Sequence, residues 1–350
     1  MSISNLIVHE IQKNEGERKA VLIARPSENP IDDQAEVLSA QVTSLFNRSG
    51  MSTGRFANPQ GSDEGAQLPS LLMTYFKENA FTDFAGFTKA CAADFLKYLE
   101  PVEEAGGGLL WFNHFELHDT HFLYIVMLKR KQGIGLGSDL SLSQVEQIEM
   151  EKLHMSLRIN LSAWQSGDEG RYISFRFGRA PKFESDYFTQ FIGCDEPKVT
   201  AKETRKLVDL TSAFCQSEGF PAKQANEFKK LVSEQCQAKA QDNEPLAMKD
   251  IAAQVESRFS VEQANKFLEI ADSDSFKMEK EMFVEKAALK KLTRISGSTR
   301  ALTLSFDSDL LGESVVFDAD SGTLTIKGLP KTLLKQLQSM CTEALGFERI

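Results

Sequence analysis

Seven consecutive residues, Phe122-Leu-Tyr-Ile-Val-Met-Leu128, are apolar at every position. A strand alternates its side chains between two faces, so a run apolar on both parities belongs in the middle of a sheet covered above and below. That feature commits the chain to a layered fold with helices or a second sheet on each face. Leu109–Leu117 reads as the hairpin partner of His121–Lys129, and Gly106-Gly-Gly108 breaks the chain ahead of the pair. A third strand is Leu153–Leu161. Leu153, Met155, Leu157, Ile159 and Leu161 face one way, and His154, Ser156, Arg158 and Asn160 face the other.

Further elements follow from the same reasoning. Ile3–Gln12 and Lys19–Arg25 form a hairpin, and Arg171–Phe177 is a short strand. Helical spacing runs from Pro30 to about Phe46, with Val37, Leu38, Val42, Leu45 and Phe46 on the apolar face, and again over about Leu68–Lys77 and Thr82–Leu99. Ser49–Gly65, rich in Gly, Ser, Asn and Pro, reads as an exposed loop. From Pro181 to about Phe267 the pattern is helical, with a capping box at Thr200-x-x-Glu203 and a break at Gln241–Pro245. Ala301–Phe306, Ser314–Asp318 and Thr323–Lys327 are strands, and a helix from about Lys331 closes the chain. The expected class is α+β. A mixed domain of antiparallel hairpins and helices covers residues 1–195, and residues 196–350 form a helical segment carrying a small three-stranded unit.

Charge bears on the choice of partner. The net charge is −10, but it is uneven: residues 1–128 hold 9 Lys and Arg against 17 Asp and Glu, residues 129–206 hold 13 against 11, and residues 207–350 hold 18 against 22. Nonspecific DNA binding is driven by cations that release counterions from phosphate. Charges more than about 10 Å apart are largely screened at physiological salt, so an acidic chain can still bind a polyanion through a local basic patch. No apolar run reaches bilayer length, and residues 1–10 lack a basic start followed by an apolar stretch. Cys91, Cys194, Cys215, Cys236 and Cys341 form no C-x-x-C pair. The expectation is a cytosolic protein with reduced thiols and no membrane contact.

Three constellations carry chemistry. His114, Glu116 and His118 alternate on one strand and His121 follows the turn, a ligand set suited to zinc or non-haem iron. No H-E-x-x-H helix accompanies it, so the polar face of a hairpin is the expectation, with no metal and no cofactor. Arg171-Tyr-Ile-Ser-Phe-Arg-Phe-Gly-Arg179 interleaves cations with aromatics but lacks the internal glycine and element order of an RNA-recognition motif. Phosphate contacts by Arg171, Arg176, Arg179 and Lys182 remain open, with Ile173, Phe175 and Phe177 facing a core. A helix expected from about Met278 to Arg294 stacks Lys286, Lys290 and Arg294 every four residues, with Lys291 nearby and no acid four residues before any of the three. A solvated face and an anion-facing surface account for this stripe equally well. Gly133-Ile-Gly-Leu-Gly137 lacks the ending of a phosphate-binding loop.

Leu157-Arg-Ile-Asn-Leu-Ser-Ala-Trp164, Arg171-Tyr172, Phe177-Gly-Arg179 and Asp186-Tyr-Phe-x-x-Phe-Ile-Gly193 resemble the bacterial nucleoid-associated protein family NdpA (YejK). Phe306-Asp-x-x-Leu310-Leu-Gly-Glu313 and Thr323-Leu-Thr-Ile-Lys-Gly328 extend the resemblance to nearly the whole chain. The resemblance implies a cytoplasmic protein on the nucleoid that binds double-stranded DNA and is not an enzyme. It brings no set of DNA-contacting residues. Arg158, Arg171 and Arg179 are the charged members of its blocks, each equally placed to pair with an internal carboxylate. Two classes of function follow. One is an architectural protein that contacts mainly backbone phosphate, with little sequence preference, and bridges or bends duplexes as a homodimer. The other is an adaptor recruited by other nucleoid proteins, whose acidic first third docks a basic partner. A metal-dependent nuclease built on His114 is a distant third.

Overall fold

The computed structural model describes residues 2–48, 50–61, 65–136, 138–151, 153–167, 170–177, 182–242 and 244–345. The chain opens with β1 (Ser2–Gln12), β2 (Val21–Ile23), α1 (Asp33–Phe46), β3 (Met51–Phe56) and α2 (Leu68–Tyr75). It continues through β4 (Phe76–Lys77), β5 (Ala80–Phe81), α3 (Phe84–Leu99), β6 (Gly108–Leu117), β7 (Thr120–Leu128), β8 (Arg130–Leu136) and β9 (Leu142–Ile148). Next come β10 (Met155–Asn160), α4 (Leu161–Gln165), β11 (Ile173–Phe177), α5 (Lys182–Ile192) and β12 (Cys194–Val199). The helical stretch is α6 (Thr200–Ser217), α7 (Ala222–Asp242), β13 (Leu246–Ala247), α8 (Met248–Arg258), α9 (Val261–Asp272), β14 (Glu281–Met282) and α10 (Lys286–Thr293). The remainder is β15 (Arg294–Ser298), β16 (Thr303–Asp307), a 3-10 turn (Ser308–Leu310), β17 (Val315–Asp318), β18 (Thr323–Ile326) and α11 (Lys331–Leu345). The class is α+β.

These elements form two compact units. Residues 1–206, 239–248 and 278–287 make the first, and residues 207–238, 249–277 and 288–350 the second. The expected boundary at residue 195 falls inside β12, which pairs with β3 in the first unit.

The first unit is built on an eight-stranded sheet in the order β12-β3-β11-β10-β7-β6-β1-β2, with every pairing antiparallel. The all-apolar strand β7 lies in its interior, as its composition requires. Leu123, Ile125 and Met127 pack with α2, α3 and α5 on one face, while Tyr124, Val126 and Leu128 pack with α1 on the other. Helix α1 starts where the Asp32 carboxylate accepts from the Ala35 amide at 3.0 Å. It buries Ala35, Ser39, Val42, Leu45 and Phe46, and leaves Val37, assigned to the apolar face from sequence, exposed.

Several expectations are corrected. Ser49–Gly65 is not all loop, because β3 sits within it, between β11 and β12. Gly54 suits this: a Cβ there would lie 3.2 Å from the Asp195 carbonyl oxygen of β12 and 2.2 Å from Cys194 Sγ, so a side chain would crowd the strand pair. The hairpin β8–β9, unforeseen, forms a separate two-stranded sheet that exposes Ile134, Leu136, Leu140 and Leu142. The capping box at Thr200 is not made, since Thr200 Oγ1 and Glu203 Oε2 are buried without partners. The stretch from Met278 to Arg294 is interrupted by β14, and only Lys286–Thr293 is helical.

In the second unit Phe214, Phe228 and Phe267 form an aromatic cluster with ring centroids 5.0 to 6.1 Å apart, joined by Phe220 and Phe259. The three expected C-terminal strands are β16, β17 and β18. They occur in two hairpins, because a further strand, β15, pairs with β16, while β17 pairs with β18.

Candidate functional site

The sheet register brings together a row of polar residues that the linear sequence scatters. Thr53, Ser174, Arg158, Tyr124 and Asn113 stand opposite one another on β3, β11, β10, β7 and β6. Adjacent strands lie about 4.8 Å apart, so the row extends about 19 Å across the face that α1 covers. Asn113 Nδ2 donates to Ser39 Oγ of α1 at 2.7 Å, while its Oδ1 is buried without a partner. Tyr124 is fully buried, and among the described residues its hydroxyl also lacks a hydrogen-bond partner.

Arg158 is the unusual member. Its side chain is only 6% exposed, and its guanidinium lies over the rings of Phe46 and Phe122 at 5.0 and 5.5 Å. Among the described residues it makes no ion pair or hydrogen bond. Stacking of this kind contributes about 2 kcal/mol when desolvated, which offsets part of the cost of burying a charge. Arg158 and Tyr124 line a cavity of about 460 Å³ together with Ser174, Phe115, Phe122 and Phe283. Arg158 is thus an interior residue that lines a cavity.

The other cations expected at a phosphate site fall into two groups. Arg171 is half-buried. It donates from Nη1 to the Thr53 carbonyl at 2.9 Å and pairs through Nη2 with Glu279 at 3.4 Å. Lys198 bonds the same carboxylate, holding Glu279 below the usual carboxylate range. Arg176 is half-buried and donates to the Leu45 carbonyl at 2.7 Å, and burial and then Arg48 push its pKa down. Arg179 and the Lys182 side chain lie outside the described residues.

Lys286, Lys290 and Lys291 are exposed on α10, opposite the buried Leu289 and Leu292. At 100° per residue they occupy an arc of about 140°, and among the described residues none has a carboxylate within ion-pair distance. Arg294 departs from the expected stripe. It begins β15, pairs with Asp307 at 3.4 Å and bonds Ser305 through Nε at 3.2 Å. Sequence reading passed over Arg48, which lines a second cavity of about 350 Å³ with Lys286, alongside Glu244 and Glu285. Nothing local to Arg48 signals this, because the neighbours come from segments more than a hundred residues away.

The histidine group resolves differently. His118 and Asp119 take left-handed conformations, φ 50° and 58°, in the two-residue turn between β6 and β7, so His118 leaves the strand face. His114 is buried, with Nδ1 2.9 Å from Asn5 Oδ1 and Nε2 3.2 Å from His121 Nδ1. Burial, then His121, push its pKa down to about 4. Among the described residues no three His, Cys, Asp or Glu side chains are grouped to hold a metal ion. No described helix is long and apolar enough to cross a membrane.

A family profile described as nucleoid-associated protein YejK matches residues 7–334. Nucleoid-associated proteins from two Pseudomonas putida strains are each 31% identical over 340 residues, covering 97% of this chain and 99% of their own length. A nucleoid-associated protein of Pseudomonas entomophila is 30% identical over the same shares of each chain. The chain belongs to the nucleoid-associated protein YejK family.

Proposed function

We propose that this protein binds double-stranded DNA on the bacterial nucleoid, in the cytoplasm, and organises it without catalysis. It contacts mainly backbone phosphates, with little sequence preference, and bridges or bends duplexes as a homodimer. The observation that carries this reading, beside family membership, is the exposed and unpaired set Lys286, Lys290 and Lys291 on one helix. Phosphate contacts position a protein on DNA without reading bases. The β8–β9 hairpin supports the dimer, because exposed Ile134, Leu136, Leu140 and Leu142 form apolar surface of the kind a second copy covers.

The test is a gel-shift salt titration with a mixed-sequence duplex, alongside sedimentation for the dimer. Three phosphate contacts give a slope of about −2.7 in log affinity against log salt, or about a forty-fold loss between about 50 and about 200 mM. Changing Lys286, Lys290 and Lys291 together to Glu removes that slope and most of the affinity at low salt. The fold should persist, since exposed substitutions shift stability by about 0.5 kcal/mol or less. Binding that is indifferent to salt, in wild type and variant alike, would favour an adaptor held on the nucleoid by other proteins.

A further inference from the structure

The cavity at the polar row does not belong to the duplex-binding reading, since none of Lys286, Lys290 and Lys291 lines it. We infer that it is a binding site for a small organic anion, whose phosphate or carboxylate group seats on Arg158 and Tyr124. Arg158 cannot shed its charge, and a guanidinium stacked over aromatic rings keeps the donors along its edge for an in-plane acceptor. Tyr124 adds a fully buried hydroxyl with no partner, in the strand register directly beside it. Two neighbouring interior donors on residues that line one cavity, with no acceptor among the described residues, are what an oxyanion site requires.

The rest of the lining narrows the ligand. Phe115, Phe122 and Phe283 offer apolar faces for a flat body, and Glu244 and Glu281 accept from hydroxyl or amino groups. About 460 Å³ lies within the range of small-molecule pockets. The class is therefore an anion of one phosphate or carboxylate on a flat, hydroxyl- or amino-bearing body. A nucleoside monophosphate has all of these parts.

The experiment is a thermal-melt and calorimetric titration of the full chain with adenosine monophosphate, adenosine, benzoate and inorganic phosphate. The anionic probes with a flat body raise the melting temperature saturably and adenosine does not. Whether the monophosphate or benzoate binds more tightly identifies the anion's source. Arg158→Met keeps the bulk of the side chain and removes the unpaired charge, so the ligand-free protein melts at the same temperature or higher, yet it loses the response to probe. Tyr124→Phe keeps the packing and weakens binding about tenfold. The lysine-to-glutamate variant on α10 retains probe binding, and Arg158→Met retains duplex binding, so the two readings fail separately. The inference is overturned if no anionic probe shifts the wild-type melt. It is equally overturned if Arg158→Met responds as wild type does, or itself melts lower with no probe response in either protein.

Discussion

The interior of the sheet and the surface of α10 treat positive charge in opposite ways. On α10 three lysines stand in water, where like charges one turn apart cost only a few tenths of a kcal/mol and need no partner. Inside the first unit the buried and half-buried basic groups among the described residues are bonded, stacked or discharged. Arg176 reaches a helix carbonyl, Arg171 reaches a strand carbonyl and Glu279, and Arg158 lies over two aromatic rings. His9 and His114 have a route closed to arginine, since imidazole can give up its proton. Burial, then Lys89, push His9 down to about 4, as burial and then His121 do for His114. The Arg25 amide donates to His9 Nδ1 at 3.1 Å, which leaves Nε2–H to donate to Thr88 Oγ1 at 3.0 Å, a neutral tautomer. Interior charge is thus held by partners or rings or given up, while surface charge needs neither.

Acidification strikes at this contrast most strongly. Both imidazoles have an ordinary pKa of 6.5, which the unfolded chain regains, against about 4 when folded. Between those values the unfolded state binds more protons. Stability is therefore fully present above pH 6.5 and falls as pH drops towards 4, by about 2–3 kcal/mol for each histidine. Urea unfolding at pH 7.5, 6 and 5 should show the decline, and replacing His9 and His114 together by Gln should flatten it, whatever the variant's absolute stability. A wild-type midpoint unchanged between pH 7.5 and 5 would mean the interior accepts imidazolium after all.

Arg176 sharpens the comparison at intermediate size. Helix α1 has no basic residue in its last turn, and Arg176 supplies one from β11 by donating to the Leu45 carbonyl. A cation near a helix C-terminus in a partly buried setting contributes about 1–2 kcal/mol. Arg176→Met should cost that much in urea unfolding and leave duplex affinity unchanged in the folded fraction. A drop in affinity with no loss of stability would move Arg176 into the surface group.

How much of this was legible in the sequence depended on whether the information was local. β7 could be read from its unbroken apolar run, β6 as its hairpin partner, and β10 and the alternation along β11 from period-two spacing, because burial imposes those patterns directly. β3 could not, because Met51-Ser-Thr-Gly-Arg-Phe56 owes its place to a close approach by β12 at Gly54. The side of β10 that Arg158 occupies was readable, and so was the two-sided burial of β7. The meeting of Arg158 with Tyr124 was not, because strand register depends on contacts between segments far apart. Read as a continuous helix, Met278 to Arg294 gave a regular stripe. Pairing of β14 with β13 and of β15 with β16 overrides that local pattern at both ends.

Arg294 is the smallest test and the most discriminating, because it shares the surface with the lysines yet resembles the interior in having partners. Its register partner on β16 is Asp307, their charges 3.4 Å apart, and both side chains are substantially exposed. An exposed cross-strand pair contributes about 0.2–1 kcal/mol, and salt screens much of it. Arg294→Ala should therefore lower stability by about 0.5 kcal/mol or less. The binding slope is the more telling number. A cation already facing a carboxylate releases few counterions on meeting phosphate, because Asp307 must first be displaced or brought against the same anion. The variant should keep nearly the whole salt slope, whereas each unpaired lysine on α10 accounts for about one unit of it. Loss of a full unit on removing Arg294 alone would show that Asp307 yields to phosphate. Exposure, and not the lack of a partner, would then be what marks a cation for DNA.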